Sequence, residues 1–457
     1  MAPTDTALAE LIDALPDGVV VTDADKVEKY RWDRSQDPGT GTPIAVVRAE
    51  DAGQVQTAVR WAAAHRVPVV PRGAGSGLSG GSSAVDDGIV VSLERMAAIE
   101  IDPACQVAVV EPGAFNADVK AAAAEHGLWY PPDPSSYEIC SIGGNVATNA
   151  GGLCCVKYGV TTDYVLGLDV VLADGTLVRL GGKRIKDVAG LSLLKLFVGS
   201  EGTLGIVTRV LLRLVPAQAA RSTLVATFPS PEVAAEAVVA IRTGLRPSML
   251  ELMDQPSIRA AEAHRPMGLD VDAGALLVAQ SDAPGSSRTD EIAIMEKACL
   301  DSGALEVFVT DDADEGEQFV QARRMVIPAV ETLGALMLED VGVPVPRLPE
   351  LLRAVAEIAE RHDLSIPVIA HAGDGNTHPL ILVPRDDEAA HLRALQAFDD
   401  IMHAAIALDG TITGEHGVGR TKKSALPAQV GEDVMALSHR VKDALDPDGI
   451  LNPGAVL

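Results

Sequence analysis

His371 and His378 stand seven residues apart in the stretch HAGDGNTH, and a further histidine, His416, follows Glu415 in GEHGVGR. Imidazoles and carboxylates bind divalent metals of intermediate softness, and imidazoles move protons near neutral pH. On a helix this spacing would put both rings on one face. Gly373 and Gly375, flanking Asp374, favour instead a strand–turn–strand corner, which can also bring the rings together. A phosphate-loop reading fails because no lysine follows and no helix opens. The pair alone fits two hydrogen-bonded imidazoles in a turn equally well. Glu415 offers a third ligand of the hard-oxygen kind, giving a His₂Glu set with an open position.

A second candidate lies in PRGAGSGLSGG, where five of the nine residues from Gly73 to Gly81 are glycine. Gly75, Gly77 and Gly80 match the spacing of a dinucleotide-binding loop, but that loop must open directly into a helix. Here GSSAVDDGIVVSL follows, which reads as loop and then strand. What remains is an anion nest, in which consecutive backbone N–H groups turn inward and can hold a pyrophosphate without a helix.

The elements that must position these residues differ between the two halves. The stretch from Asp51 places Val55, Ala58, Val59 and Ala62 at helical spacing and leads into an apolar strand, Val67 to Val70. Short β-branched strands and glycine turns follow, with a hairpin signal at residues 173–175. After Pro216 strand–helix–strand units repeat: RSTLVATF, a helix opened by Ser230 and Pro231, and SMLELMD, with three further passes and a helix from Glu388 to Leu408. The expected class is α+β. A first domain over 1–217 precedes a ferredoxin-like second domain of duplicated split βαβ units over 218–457, closed by a turn-rich return segment, DALDPDGILNPG.

Composition removes other classes. With 37 basic and 64 acidic residues among 457, the net charge is −27, which repels nucleic acid and anionic surfaces, and aromatics are too few for base stacking. No run is long and apolar enough for a membrane span, and no Lys or Arg precedes Lys26 to form the basic end of a signal peptide. Five cysteines, two of them adjacent, suit reduced thiols and a cytoplasmic protein. Peripheral attachment to a membrane through a partner stays open, as does a homodimer.

Six segments in fixed order, VPVVPRGAGSGLSGG, PPDPSSYEICSIGGNVATNAGG, VAGLSLLKLFVGSEGTLGIVT, HAGDGNTH, GEHGVG and DPDGILNPG, resemble the FAD-linked oxidoreductases of the vanillyl-alcohol-oxidase type. Within that type the chain is most similar to the branch of D-lactate dehydrogenases and the glycolate oxidase flavoprotein subunit. The resemblance implies a PCMH-type FAD-binding domain, a substrate-binding cap and FAD held without a covalent bond. Arg72, Gly73, Ala74, Gly75, Ser76, Gly77 and Ser79 would form the pyrophosphate loop. Pro132, Asp133, Ser136, Gly143, Gly144, Asn145, Thr148 and Gly151 would run along the ribityl and phosphate portions. Glu201, Gly205 and Ile206 would lie near the adenosine end, and Asn452 would approach the isoalloxazine ring. His371, His378 and Glu415 would hold zinc or manganese, His416 would be the general base, and Arg323 would bind the substrate carboxylate. The plain alternative for Arg323 is a surface arginine on an acidic helix, with Arg324 as its solvated neighbour.

By this resemblance the chain oxidises a 2-hydroxy acid and passes electrons to a quinone, an electron-transfer protein or an iron–sulfur subunit. Its own cysteines are too few and too poorly spaced for an iron–sulfur cluster. Leu191-Ser192 replace the family's Tyr-Asp, and no lysine stands between Arg323 and EDVGVP. The missing cation argues for a monocarboxylate, D-lactate or glycolate, over a dicarboxylate. Two other readings are a flavoprotein subunit competent only with a partner and an FAD-dependent transferase like the alkylglycerone-phosphate synthases. A transferase would favour a basic channel and an apolar tunnel, and this acidic chain shows little sign of either.

Overall fold

A computed structural model describes residues 5–385 and 387–457; the first four residues of the expected first domain and Asp386 of the second lie outside the described residues. The chain forms two compact units. One contains the residues up to Gly151, Val160–Ala217 and Glu415–Leu457, and the other contains Gly152–Gly159 and Gln218–Gly414.

The first unit holds two sheets. In one, Ala45–Arg48 and Val69–Arg72 flank Ile89–Ser92 in parallel, and Val20–Val21 adds an antiparallel edge. The central strand is buried at every position, as a parallel strand covered on both faces should be. The helix Ala52–His65 packs Val55, Ala58, Val59, Trp61 and Ala62 into the same core and is capped by the Asp51 side chain. The second sheet is antiparallel, in the order Ile99–Asp102, Val107–Val110, Ile206–Arg213, Val165–Val171, Leu177–Gly181. The turn at 173–175 joins its last two strands, with Gly175 at φ +77°.

The C-terminal segment belongs to this first unit, whereas the sequence reading gives all of 218–457 to the second. The reason is packing: Ile450 and Leu451 lie in the core of the parallel sheet, Leu451 bridges Val69, and Val441 and Leu445 cover the antiparallel one. A return segment reads as turns locally, so its long-range partners are silent in the pattern. The segment Gly152–Gly159 joins the second unit through Leu153, buried in its core, and through polar contacts. Lys157 and Tyr158 both bond the buried Asp282, which also accepts from Gln218 Nε2 at 2.8 Å.

In the second unit the strands Ser222–Phe228, Met249–Asp254, Ala275–Ser281 and Glu306–Thr310 lie in the order fourth, first, third, second, all antiparallel. The helices Pro231–Gly244 and Ser286–Asp301 make the crossovers, which is the split βαβ arrangement repeated. A second set continues the sheet: Val368–His371 pairs Met249–Asp254 on one side and Asn376–Val383 on the other. Asn376–Val383 then pairs Val341–Gly342 and Ala335–Leu338, and Thr411 bridges Gly342 in the position of a fourth strand. The duplicated ferredoxin-like plan is therefore present. Its helix Leu348–His362 buries Leu348, Leu351, Leu352, Val355 and Ile358, one face of a 3.6-residue repeat.

Candidate active-site residues in the two units

In the first unit the glycine loop leaves the strand Val69–Arg72 and reaches Ile89 without forming a helix. The amides of Gly75, Ser76, Gly77 and Leu78 donate to no protein acceptor among the described residues, while Ala74 N–H donates to Ser141 Oγ at 3.2 Å. Four consecutive donors left open in one loop fit an anion such as a pyrophosphate. Arg72 lies buried against this loop and donates to the Ser82 carbonyl at 3.3 Å; burial holds its guanidinium below the ordinary range, and Asp33 works the other way. Gly75 sits at φ +72°, and a Cβ there would lie 2.0 Å from Arg72 Nη2. Only glycine lets the loop lie on the guanidinium.

The short helix Ile142–Thr148 is capped by Ser141, and a Cβ on Gly143 would come 2.6 Å from the Pro112 ring. Asn145 is buried and accepts from Asn116 Nδ2 at 3.1 Å, and Thr148 Oγ1 donates to the Gly144 carbonyl at 3.2 Å. The Pro132 carbonyl accepts from Asn116 as well, at 3.3 Å, so Asn116 joins two of the expected cofactor segments. It lay outside the motifs and carried no sequence signal. Asp133 is buried, Ser136 half-buried, and Gly151 closes the first stretch of this unit. A Cβ on Gly205 would lie 2.5 Å from Val170, and Ile206 opens the strand that runs through this core.

Glu201, at φ +49°, accepts from Val418 N–H at 2.8 Å and Gly419 N–H at 2.9 Å. Burial raises its carboxyl to about 7. Asn452 Nδ2 donates to the carbonyls of both Gly81 and Glu201 at 2.7 Å. His416 belongs to the same unit: its carbonyl accepts from Ser79 Oγ at 3.1 Å, and its Nε2 lies 3.7 Å from Glu415 Oε1.

In the second unit HAGDGNTH forms the expected strand–turn–strand corner, with His371 opposite Asn376 and Ile369 opposite His378. His371 and His378 are therefore diagonal neighbours on one sheet face. Their ring centroids are 5.1 Å apart and the rings are nearly perpendicular, and both are buried. On the other side, Leu252 pairs Ala370, and the same register puts Glu251 opposite His371. Glu251 accepts from His371 Nδ1 at 2.8 Å and lies 3.0 Å from Arg323 Nε. An imidazole held at Nδ1 by a carboxylate turns Nε2 to its opposite side, as metal-binding histidines do.

Arg323 is 1% exposed on the helix Ala313–Glu331, which removes the surface-arginine alternative. Arg324 is partly exposed, 3.4 Å from Glu317. Asp340, also fully buried, lies 3.6 Å from His378 Nδ1 and accepts from Asn376, Thr413 and Gly414 N–H. Glu251 and Asp340 were missed by the sequence reading. The available signal for Glu251 was an acid in the middle of an apolar strand, MLELMD, whose cost of burial demands a partner nearby.

All five cysteines are free thiols. No helix among the described residues is long and apolar enough to cross a membrane.

Residues 43–181 match an FAD binding domain, and residues 217–456 match the C-terminal domain of FAD linked oxidases. Glycolate oxidase subunit GlcD of Bacillus subtilis is 40% identical over 415 residues, 90% of this chain and 88% of that protein. A D-lactate dehydrogenase of Archaeoglobus fulgidus is 33% identical over 94% of this chain and 96% of its own. The fold is also that of p-cresol methylhydroxylase, with a TM-score of 0.83 over 99% of this chain and 96% of that one at 18% identity. With a PCMH-type fold and both halves matched, the chain belongs to the FAD-linked oxidase family and is an FAD-dependent oxidoreductase.

Proposed function

We propose that this protein oxidises a small 2-hydroxy monocarboxylate, D-lactate or glycolate, to the corresponding 2-oxo acid in the cytoplasm. The observation that carries the reading is the shared carboxylate of Glu251. It holds a buried arginine and a buried histidine together, a cation suited to a carboxylate beside an imidazole suited to a metal. The named relatives, a glycolate oxidase subunit and a D-lactate dehydrogenase, support the same substrate class.

FAD, bound non-covalently by the open amides at 75–78 and the glycine segments around Gly143, Gly144 and Gly151, would supply a two-electron acceptor for the hydride on the hydroxyl carbon. A divalent metal, zinc or manganese, with His371, His378 and Glu415 as ligands, would supply a Lewis acid that lowers the hydroxyl pKa. The remaining work falls to this chain's own side chains. Arg323 pairs with the substrate carboxylate; its planar guanidinium is already oriented by Glu251, so little ordering is left for binding. His416 takes the hydroxyl proton at a ring nitrogen. The substrate thus loses one proton and one hydride, and the two electrons leave for a quinone, an electron-transfer protein or an iron–sulfur subunit. That the glycolate oxidase relative of Bacillus subtilis is named as a subunit favours the last of these.

The test is the visible spectrum of the metal-replete protein under anaerobic conditions, mixed in turn with D-lactate, L-lactate, glycolate and D-2-hydroxyglutarate. Bleaching of the flavin band by D-lactate or glycolate, abolished by chelation, is the expected result. A flavin that none of them bleaches overturns the reading.

A further inference from the structure

The carboxylate of Glu201 does not project from its loop. It accepts the N–H of Val418 at 2.8 Å and of Gly419 at 2.9 Å, one on each oxygen. Its backbone takes a left-handed conformation that glutamate rarely adopts, φ +49°, and its carbonyl is held by Asn452 Nδ2 at 2.7 Å. Glycines surround it: a Cβ on Gly417 would lie 2.9 Å from the carboxyl carbon, and one on Gly81 would lie 3.0 Å from Oε2.

The loop that Glu201 holds is tied a second time. Ser79 Oγ donates to the His416 carbonyl at 3.1 Å, and the Ser79 carbonyl accepts from Arg420 N–H at 2.8 Å. A Cβ on Gly419 would lie 2.0 Å from that carbonyl, so the two loops touch through backbone. Glu201 and Ser79 together fix the turn at 416–420 from both ends. Placing a glutamate in a strained backbone conformation and burying its carboxylate among amides is costly, and a merely structural turn needs neither.

We propose that Glu201 is a positioning residue for His416: by binding the two amides that follow it, Glu201 sets the turn from which the imidazole reaches its proton. This rests on the reading of His416 as the base. It assigns Glu201 to the loop of the base and not to the adenosine end of the cofactor.

The test uses the flavin-loaded protein in three forms: wild type, Glu201→Gln and Glu201→Ala. Hydrogen exchange over residues 416–421 is read beside flavin content, kcat and KM. In the wild type the amides of Val418 and Gly419 are expected among the slowly exchanging sites. In Glu201→Ala they should exchange roughly ten- to a hundredfold faster, the consequence of losing two buried hydrogen bonds. A fall in kcat of about the same size should accompany this, with KM within about threefold, because a misplaced base lowers turnover and not binding. Glu201→Gln keeps one acceptor oxygen and should fall between; it also carries the comparison if the alanine variant does not fold. Open exchange at Val418 and Gly419 in the wild type overturns the proposal. So does loss of flavin with unchanged exchange and unchanged kcat per flavin, which would return Glu201 to cofactor binding. If no 2-hydroxy acid reduces the wild-type flavin, the proposed function fails, while the exchange data still decide whether Glu201 holds the loop.

Discussion

Glu201 in the first unit and Glu251 in the second are both buried glutamates, 7% and 1% exposed, yet they are held by different kinds of partner. Glu201 is surrounded by backbone: two amides on its oxygens, glycine faces on either side. Glu251 is surrounded by side chains that carry or can carry positive charge, Arg323 and His371. Backbone donors are fixed by the fold and cost nothing further to orient, but they are neutral and leave the carboxylate's charge uncompensated. Cationic side chains compensate it, but each must itself be kept buried and paired. The first arrangement fixes a loop; the second assembles charged groups that can meet a charged substrate.

The largest effect should come from breaking the charged arrangement. Glu251→Ala leaves the Arg323 guanidinium buried without its carboxylate, a loss of about 3–5 kcal/mol of unfolding free energy in urea titration. Glu251→Gln retains volume and one acceptor and should cost less. If the alanine variant unfolds at the wild-type urea concentration, Glu251 is not what keeps Arg323 and His371 inside.

The backbone-held carboxylate answers to pH instead. Its carboxyl ionises at about 7 in the folded protein against an ordinary 4.5, mainly because burial opposes the charge, with Asp33 adding to the effect. The native state therefore holds a proton that the unfolded chain has released. Stability from this group is complete below about pH 4.5, falls as pH rises to about 7 and is flat beyond, a total on the order of 3 kcal/mol. Glu201→Gln should remove that slope, so the difference in unfolding free energy between wild type and variant should shrink by this amount across the window. Asp254, raised by burial to about 6, adds a slope of the same sign that both proteins share. An unchanged difference across the window would mean that Glu201 is solvated.

These two carboxylates also mark what the sequence could and could not reveal. Glycine density and the HAGDGNTH corner were legible because close backbone approach and a positive φ, as at Gly75 and Gly375, demand glycine and leave a local trace. The repeated strand–helix–strand plan was legible from periodicity. Glu251 was not: its partners are 72 and 120 residues away in sequence, and only the pairing of Met249–Asp254 with Val368–His371 brings one of them opposite. Glu201 was recognised as part of a motif, but its partners lie more than 200 residues on, in a segment whose apolar residues pack where local pattern cannot say. The same blindness hid the packing of the C-terminal segment against the sheets of the first unit. Motifs report the residues that approach closely; they are silent on which distant group is approached.

The smallest effect sharpens the comparison within a single dipeptide. Arg323 and Arg324 are adjacent on one helix and differ by about 100° in direction. That rotation takes one guanidinium to Glu251, where both side chains are almost wholly buried, and the other to Glu317, where the carboxylate is about a third exposed. Water screens the second pair and both its side chains lose rotamer freedom to form it, so Arg324→Gln should cost less than about 1 kcal/mol in urea titration. It should also leave KM for the hydroxy acid unchanged, whereas Arg323→Gln should raise it, because only Arg323 is proposed to meet the substrate carboxylate. A matched rise in KM for Arg324→Gln would show that burial on Glu251 is not what distinguishes the two arginines.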